Sequence, residues 1–133
     1  MENRHFNNSM KLIIITFFLL LCSCGRKIKI QDIRLGGDNG DEFLYENKPY
    51  TGKIWTEDGK SASIDISDGR PVKWTLFHDN GTPAAVQTDS LGRKVLKYFD
   101  INGYEMRENE WISKYGNILK KEDVLLRELY PSI

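Results

Sequence analysis

Histidine, serine and aspartate are the residues with which this chain could build a catalytic site, but no sequence motif frames them. Of the two histidines, His5 lies near the start and His78 follows a run of alternating apolar and polar residues. There is no G-x-S-x-G segment to expose a nucleophilic serine. A Ser/His/Asp arrangement remains formally possible because serines and aspartates are plentiful. We predict that no residue is catalytic and that His78 is a variable residue beside a turn.

Residues 36–42, GGDNGDE, are the one segment with the composition of a cation-binding loop. Carboxylate and carbonyl oxygens are the ligands that Ca²⁺ prefers, but the helix–loop–helix spacing D-x-D-x-D-G is missing. Nonapeptide calcium repeats must stack, and this segment occurs once. We therefore predict a solvated turn, with no metal and no cofactor.

The two cysteines, Cys22 and Cys24, stand at the end of a segment typical of export signals. The first 11 residues carry Arg4 and Lys11, and residues 12–21, LIIITFFLLL, are uncharged. Ten residues at ~1.5 Å each reach only about half of the ~30 Å hydrocarbon core, so this run is too short to cross a membrane. A basic start followed by a short apolar run predicts a signal peptide over residues 1–23.

Residues 21–24, Leu-Cys-Ser-Cys, resemble the lipobox of bacterial lipoproteins. The resemblance implies that Cys24 is acylated and becomes the mature N-terminus. Cys22 is the weaker candidate because Leu21 would then stand where a small residue is needed. Two inert thiols or a strained Cys-x-Cys disulfide are the alternatives. A stable anchor needs more than one acyl chain, which lipoproteins of this kind carry.

The charge balance of the remaining chain argues against a nucleic-acid partner. Removing Arg4, Lys11 and Glu2 from the 19 basic and 19 acidic residues leaves a net charge of −1. The basic cluster at residues 26–29 is short, and beside the anchor it could contact anionic headgroups or be a solvated tether. No cysteine follows Cys24, so no disulfide framework is expected.

From about residue 41 to residue 112 the pattern is that of β-structure. Ala62, Ile64 and Ile66 alternate with polar residues, which is the period of a half-buried strand. Turn signals separate such runs at intervals too short for crossover helices. They are Asp58-Gly59, Asp68-Gly69, Asn80-Gly81, Leu91-Gly92 and Asn102-Gly103.

Three of these turns recur with a period of 22 residues, at Gly59, Gly81 and Gly103. Four residues before each glycine stands an aromatic residue, and an identical spacing three times indicates a repeat. These aromatic residues are Trp55, Phe77 and Phe99. We predict that they occupy equivalent inward positions in successive two-stranded units.

These repeating turns, with the opening segment YENKPYTG at residues 45–52, resemble the bacterial MORN-repeat variant family. The match covers roughly residues 43–111. Pro71, Pro83 and the apolar run at residues 84–86 depart from the family pattern. Members are often labelled antitoxin-like and many are lipoproteins, so the resemblance implies association with proteins or membranes.

The C-terminal segment changes to helical spacing. Apolar residues at 118, 125, 126 and 129 favour a short amphipathic helix over residues 117–129. Asn117 is its candidate N-cap, and Pro131 lies just beyond its end. Such a helix would cover one end of the sheet.

The domain is rich in aromatic residues, and we expect most of them in the core. Trp74 and Phe77 lie three residues apart and therefore on opposite faces of one strand. One sheet face could thus keep a row of exposed rings that binds peptide or glycan. The aromatic residues concerned are Trp55, Trp74, Phe77, Tyr98, Phe99, Tyr104 and Trp111.

Taken together, the sequence predicts an all-β antiparallel meander of seven or eight strands with a short C-terminal helix. Residues 24–40 are expected to be the lipidated N-terminus and tether, and residues 41–133 the repeat domain. The leading functional hypothesis is a non-enzymatic binding or scaffold lipoprotein of the cell envelope, with a protein or peptide partner. An antitoxin-like or immunity protein is the second hypothesis, and an envelope hydrolase is the third.

Replacing Cys24 by Ala should leave an uncleaved or soluble precursor, because the side chain that would carry the lipid is removed. Replacing Cys22 by Ala should leave processing intact, which makes it the matched control. Metabolic labelling with a fatty acid reports both results. Undiminished label on the Cys24→Ala protein would show that the lipid is attached elsewhere.

Overall fold

A computed structural model describes residues 26–131 of the chain. The predicted signal peptide and the candidate lipidation site Cys24 lie outside the described residues. Within residues 26–131, no helix is long and apolar enough to cross a membrane.

The described part of the chain is mostly β-structure in one large sheet, followed by helical residues at the C-terminus. A seven-stranded sheet has the order β1-β5-β6-β7-β8-β9-β10, and a three-stranded sheet has the order β2-β3-β4. The strands are β1 Ile28–Lys29, β2 Arg34–Gly36, β3 Glu42–Tyr45, β4 Lys48–Pro49, β5 Gly52–Trp55, β6 Ala62–Ser67, β7 Arg70–Phe77, β8 Pro83–Ser90, β9 Arg93–Phe99 and β10 Glu105–Met106.

Strands β5 to β10 form the predicted antiparallel meander. At one end of the sheet, which we call the hairpin end, two-residue turns join β6 to β7 and β8 to β9. Asp68-Gly69 and Leu91-Gly92 both have two positive φ angles, 49° and 78°, and 53° and 73°. Two consecutive left-handed residues match the twist of the flanking strands, so the predicted turns at these positions are confirmed.

The other end of the sheet, which we call the turn end, carries the three turns spaced by 22 residues. The N–H groups of Gly59, Gly81 and Gly103 donate to the carbonyl oxygens three residues earlier, at 2.8, 2.9 and 3.0 Å. Positive φ angles of 69°, 87° and 90° suit glycine at all three positions.

In the first turn, at Gly59, burial alone would raise the pKa of the Asp58 carboxyl. Hydrogen bonds from Ser61, the N–H groups of Lys60 and Ser61, and Thr56 outweigh burial and lower that pKa well below its usual range.

Residues 28–36 are folded, which differs from the predicted tether. Strand β1 pairs in parallel with β5, with Ile28 opposite Ile54, so the large sheet is not purely antiparallel. Lys27 Nζ donates to the Gly59 carbonyl at 2.6 Å and lies 4.1 Å from the centre of the Trp55 ring. Ile30, in a 3-10 turn at Ile30–Asp32, is 3% exposed. This segment therefore covers the β5 edge of the sheet.

The C-terminal helical segment begins earlier than predicted. Helix α1 spans Glu108–Tyr115, a 3-10 turn spans Gly116–Leu119 and helix α2 spans Lys120–Leu129. The prediction of β-structure up to residue 112 is wrong, because the last strand ends at Met106. Asn117 lies inside the 3-10 turn and is not the N-cap of a helix.

The core lies between the large sheet and the helices. Trp111 of α1 is fully buried, and its ring centre lies 4.8 Å from that of Tyr98. Leu125 and Leu129, four residues apart on one face of α2, are also buried. The strand residues of this core include Ile54, Ala62, Ile64, Ile66, Leu76 and Ala85.

The prediction that Trp55, Phe77 and Phe99 all point inward is wrong for Trp55 and Phe99, which are not buried. Each follows a residue of its strand that packs in the core, namely Ile54, Leu76 or Tyr98, so each lies on the opposite face of the sheet. Phe77 is buried and the other two are half-buried. Trp55 stacks on Phe77, with ring centres 5.2 Å apart.

Replacing Trp111 by Ala should lower the free energy of unfolding by about 3–5 kcal/mol, since a fully buried indole is removed. The same change at Trp55 is the matched control and should cost about 1–2 kcal/mol, because that ring is half-buried. Denaturant unfolding of the chain from Gly25 onward measures both. Equal losses would contradict the assignment of the core to the helix side of the sheet.

Candidate functional site

An open groove lies between the large sheet and α2, and we call it the apolar groove. It encloses about 250 Å³. Because side chains alternate along a strand, the helix-facing residues of β7, β8 and β9 form its floor. These residues are Trp74, Leu76, Ala85, Gln87, Leu96 and Tyr98.

The wall of the apolar groove comes from α2 and the turn before it. Leu119, Glu122, Leu125 and Leu126 lie at helical spacing and face the strands. Three leucines that line the groove are open to solvent: Leu96, Leu119 and Leu126 are exposed by 49%, 38% and 43%. A cluster of exposed leucines around a concavity is the usual mark of a binding surface, whereas single exposed apolar residues are ordinary.

One polar group at the groove keeps its proton. Burial raises the pKa of the Tyr98 hydroxyl, and the carboxylates of Glu108 and Glu122 raise it further. The hydroxyl donates to Glu108 Oε1 at 3.3 Å. Tyr98 is therefore a neutral hydrogen-bond donor. The residues that line the groove include no cationic side chain.

A second cavity of about 500 Å³ adjoins the first at Trp74, which lines both, and we call it the acidic cleft. It lies at the hairpin end of the sheet, where β7 begins and β8 ends. Its carboxylates are Asp38, Asp41, Glu42 and Asp89, and Arg70 is its one cation. Leu35, Phe43, Pro71 and Tyr130 supply apolar surface.

His78 is buried and its side chain has a structural role. It is 3% exposed, its Nε2 lies 2.9 Å from the Phe99 carbonyl oxygen and its ring meets Tyr115 edge-on at 4.8 Å. A carbonyl oxygen only accepts, so Nε2 carries the proton and donates. The residue flanks a turn as predicted, and its burial and this hydrogen bond fix the position of its ring.

The structure does not assemble the formally possible Ser/His/Asp arrangement around His78. Ser61 lines the same small cavity as His78, about 100 Å³. Its hydroxyl donates to the Asp58 carboxylate, and the proton on His78 Nε2 is directed at Phe99. Neither side chain is aligned to activate the other.

The candidate calcium loop is a turn between β2 and β3. Gly37 and Gly40 have φ angles of 80° and 70°, and the Gly40 N–H donates to the Gly37 carbonyl at 3.3 Å. Across residues 26–131, no group of three or more His, Cys, Asp or Glu side chains is placed to hold a metal ion.

The predicted row of exposed aromatic rings is absent from the described residues. Of the aromatic residues singled out in the sequence, only Tyr104 is exposed, by 72%. On the helix side of the sheet, the exposed apolar residues that line the groove are the aliphatic Leu96, Leu119 and Leu126. Sequence reasoning missed the apolar groove, although the exposed leucines of its wall follow from the helical spacing.

Comparison with protein-family models, with curated proteins and with solved structures finds no match to this chain.

Replacing His78 by Ala should lower the free energy of unfolding by about 2–3 kcal/mol, because a buried ring and its hydrogen bond are lost. His78→Gln keeps an N–H donor near the position of Nε2 and should recover part of that loss. Denaturant unfolding distinguishes the two. A wild-type stability for His78→Ala would contradict the structural role.

Proposed function

We propose that this protein is a non-enzymatic binding module of the bacterial cell envelope. Residues 1–23 direct export, and a lipid on Cys24 holds the domain on a membrane. The support for this part is the basic start, the short apolar run and the lipobox-like residues 21–24. The partner is a protein or a peptide, and nucleic acid is disfavoured by the net charge of −1 without residues 1–23.

The observation that carries the binding function is the apolar groove with its exposed leucines. The helices bury Trp111, Leu125 and Leu129 but leave Leu96 and Leu126 about half open. Exposing this apolar surface costs free energy that a bound side chain would recover, at about 25 cal/mol per Å² covered. A partner that inserts aliphatic side chains between α2 and the sheet therefore has a preformed site.

We further propose that the meander consists of units of 22 residues, as in the MORN-repeat variants that the sequence resembles. The equivalent hydrogen bonds of Gly59, Gly81 and Gly103 support this reading. Neighbouring turns are also linked, since Asn80 Nδ2 donates to the Ile101 carbonyl at 3.0 Å. The units build the scaffold, and the groove lies where the helical segment meets them.

A photo-crosslinking residue placed at Leu126 should capture a partner in intact cells, because this side chain lines the groove. Val124 is the matched control: it lies on the same helix and is 41% exposed, against 43% for Leu126, but it lines neither cavity. A second groove position, Leu96, should give the same adduct as Leu126, as resolved by mass spectrometry. Equal adducts at Leu126 and Val124, or none at Leu126 and Leu96, would overturn the proposal.

A further inference from the structure

The apolar groove and the acidic cleft share one floor. Along β7 the helix-facing residues Leu76 and Trp74 line the groove, and Pro71 and Arg70 line the cleft. Along β8, Gln87 lines the groove and Asp89 lines the cleft. Six residues of strand at ~3.3 Å each make the combined channel about 20 Å long, which is the length of an extended peptide of about six residues.

The two halves of this channel differ in charge. The cleft holds four carboxylates and the guanidinium of Arg70. None of these five groups belongs to an ion pair formed within residues 26–131. The carboxylates of Asp38 and Asp41 are exposed, and those of Glu42 and Asp89 are half-buried. One end of the channel therefore has an excess of negative charge, with four carboxylates against one guanidinium, and the other end is apolar.

We propose that the occupant of this channel is a peptide segment with aliphatic side chains at one end and two or more Lys or Arg residues about four to six residues away. This inference rests on the proposed binding function and specifies the chemistry of its partner. The aliphatic side chains enter between Leu96 and Leu126, and the cations meet Asp41 and Asp89. The same excess of negative charge repels an anionic lipid surface or an acidic peptide.

The direct test uses the full chain in discs of zwitterionic lipid and a labelled eight-residue peptide with leucines at one end and lysines at the other, in alternate positions. The reversed sequence is included because the channel does not fix the chain direction. Fluorescence anisotropy should show binding that weakens as salt rises, since the carboxylates are partly solvated. A peptide with glutamates in place of the lysines should bind at least about tenfold more weakly.

Variants separate the two ends of the channel. Asp41→Asn with Asp89→Asn should weaken the lysine peptide about five- to tenfold and leave a peptide without lysines unaffected. Asp68→Asn, at an exposed turn outside the cleft, is the matched control and should change neither affinity. Leu126→Ser should weaken both peptides to the same extent.

Each other outcome overturns the inference. Equal binding of the lysine and glutamate peptides, or no binding of the lysine peptide, would do so even where Leu126 crosslinks a partner in cells and the proposed function survives. A Leu126 adduct to a second copy, to residues 1–25 of the same chain, or to lipid would also replace the peptide with another occupant.

Discussion

The turn end of the sheet supplies the backbone groups to which the helices attach, and the rest of the domain depends on these contacts. Trp111 Nε1 donates to the Phe99 carbonyl at 3.0 Å, and His78 donates to the same oxygen. Lys121 Nζ donates to the Phe77 carbonyl at 2.7 Å, and the Glu57 N–H donates to the Glu128 carboxylate at 3.0 Å. Each attachment lies at or beside one of the three repeated turns, so the turns set where the helical layer rests.

This attachment explains why the helix side of the sheet is buried in one part and open to solvent in another. With α1 and α2 fixed at the turn end, Trp111, Leu125 and Leu129 cover the nearby strand residues. Towards the hairpin end, Trp74 lines both the apolar groove and the acidic cleft, and Tyr130, which follows α2, lines the cleft. The opposite face carries the stacked Trp55 and Phe77 and offers no comparable concavity among the cavities described.

The turns could be predicted from the sequence because they depend on neighbouring residues. The packing of elements that are far apart in the chain could not. The turns at Asp68-Gly69 and Asn80-Gly81 were predicted because a left-handed backbone is a local requirement. Alternation placed Trp55, Phe77 and Phe99 on one face, but only the position of the helices decides which face is the core. The helix at Glu108–Tyr115 was missed because Trp111 also suits a strand, and the groove was missed because its floor and wall lie far apart in sequence.

The pairing of β1 with β5 limits the distance between the folded domain and Cys24. Residues from Lys27 onward are bound to the first turn and the sheet edge, so only Gly25 and Arg26 separate Cys24 from the folded domain. The three residue steps from Cys24 to Lys27 span at most about 11 Å. With the proposed lipid on Cys24, this short linker keeps the domain close to the bilayer surface, whereas a long flexible linker would let it move far from the membrane. Its partners are then restricted to molecules that come within one domain diameter of the membrane surface.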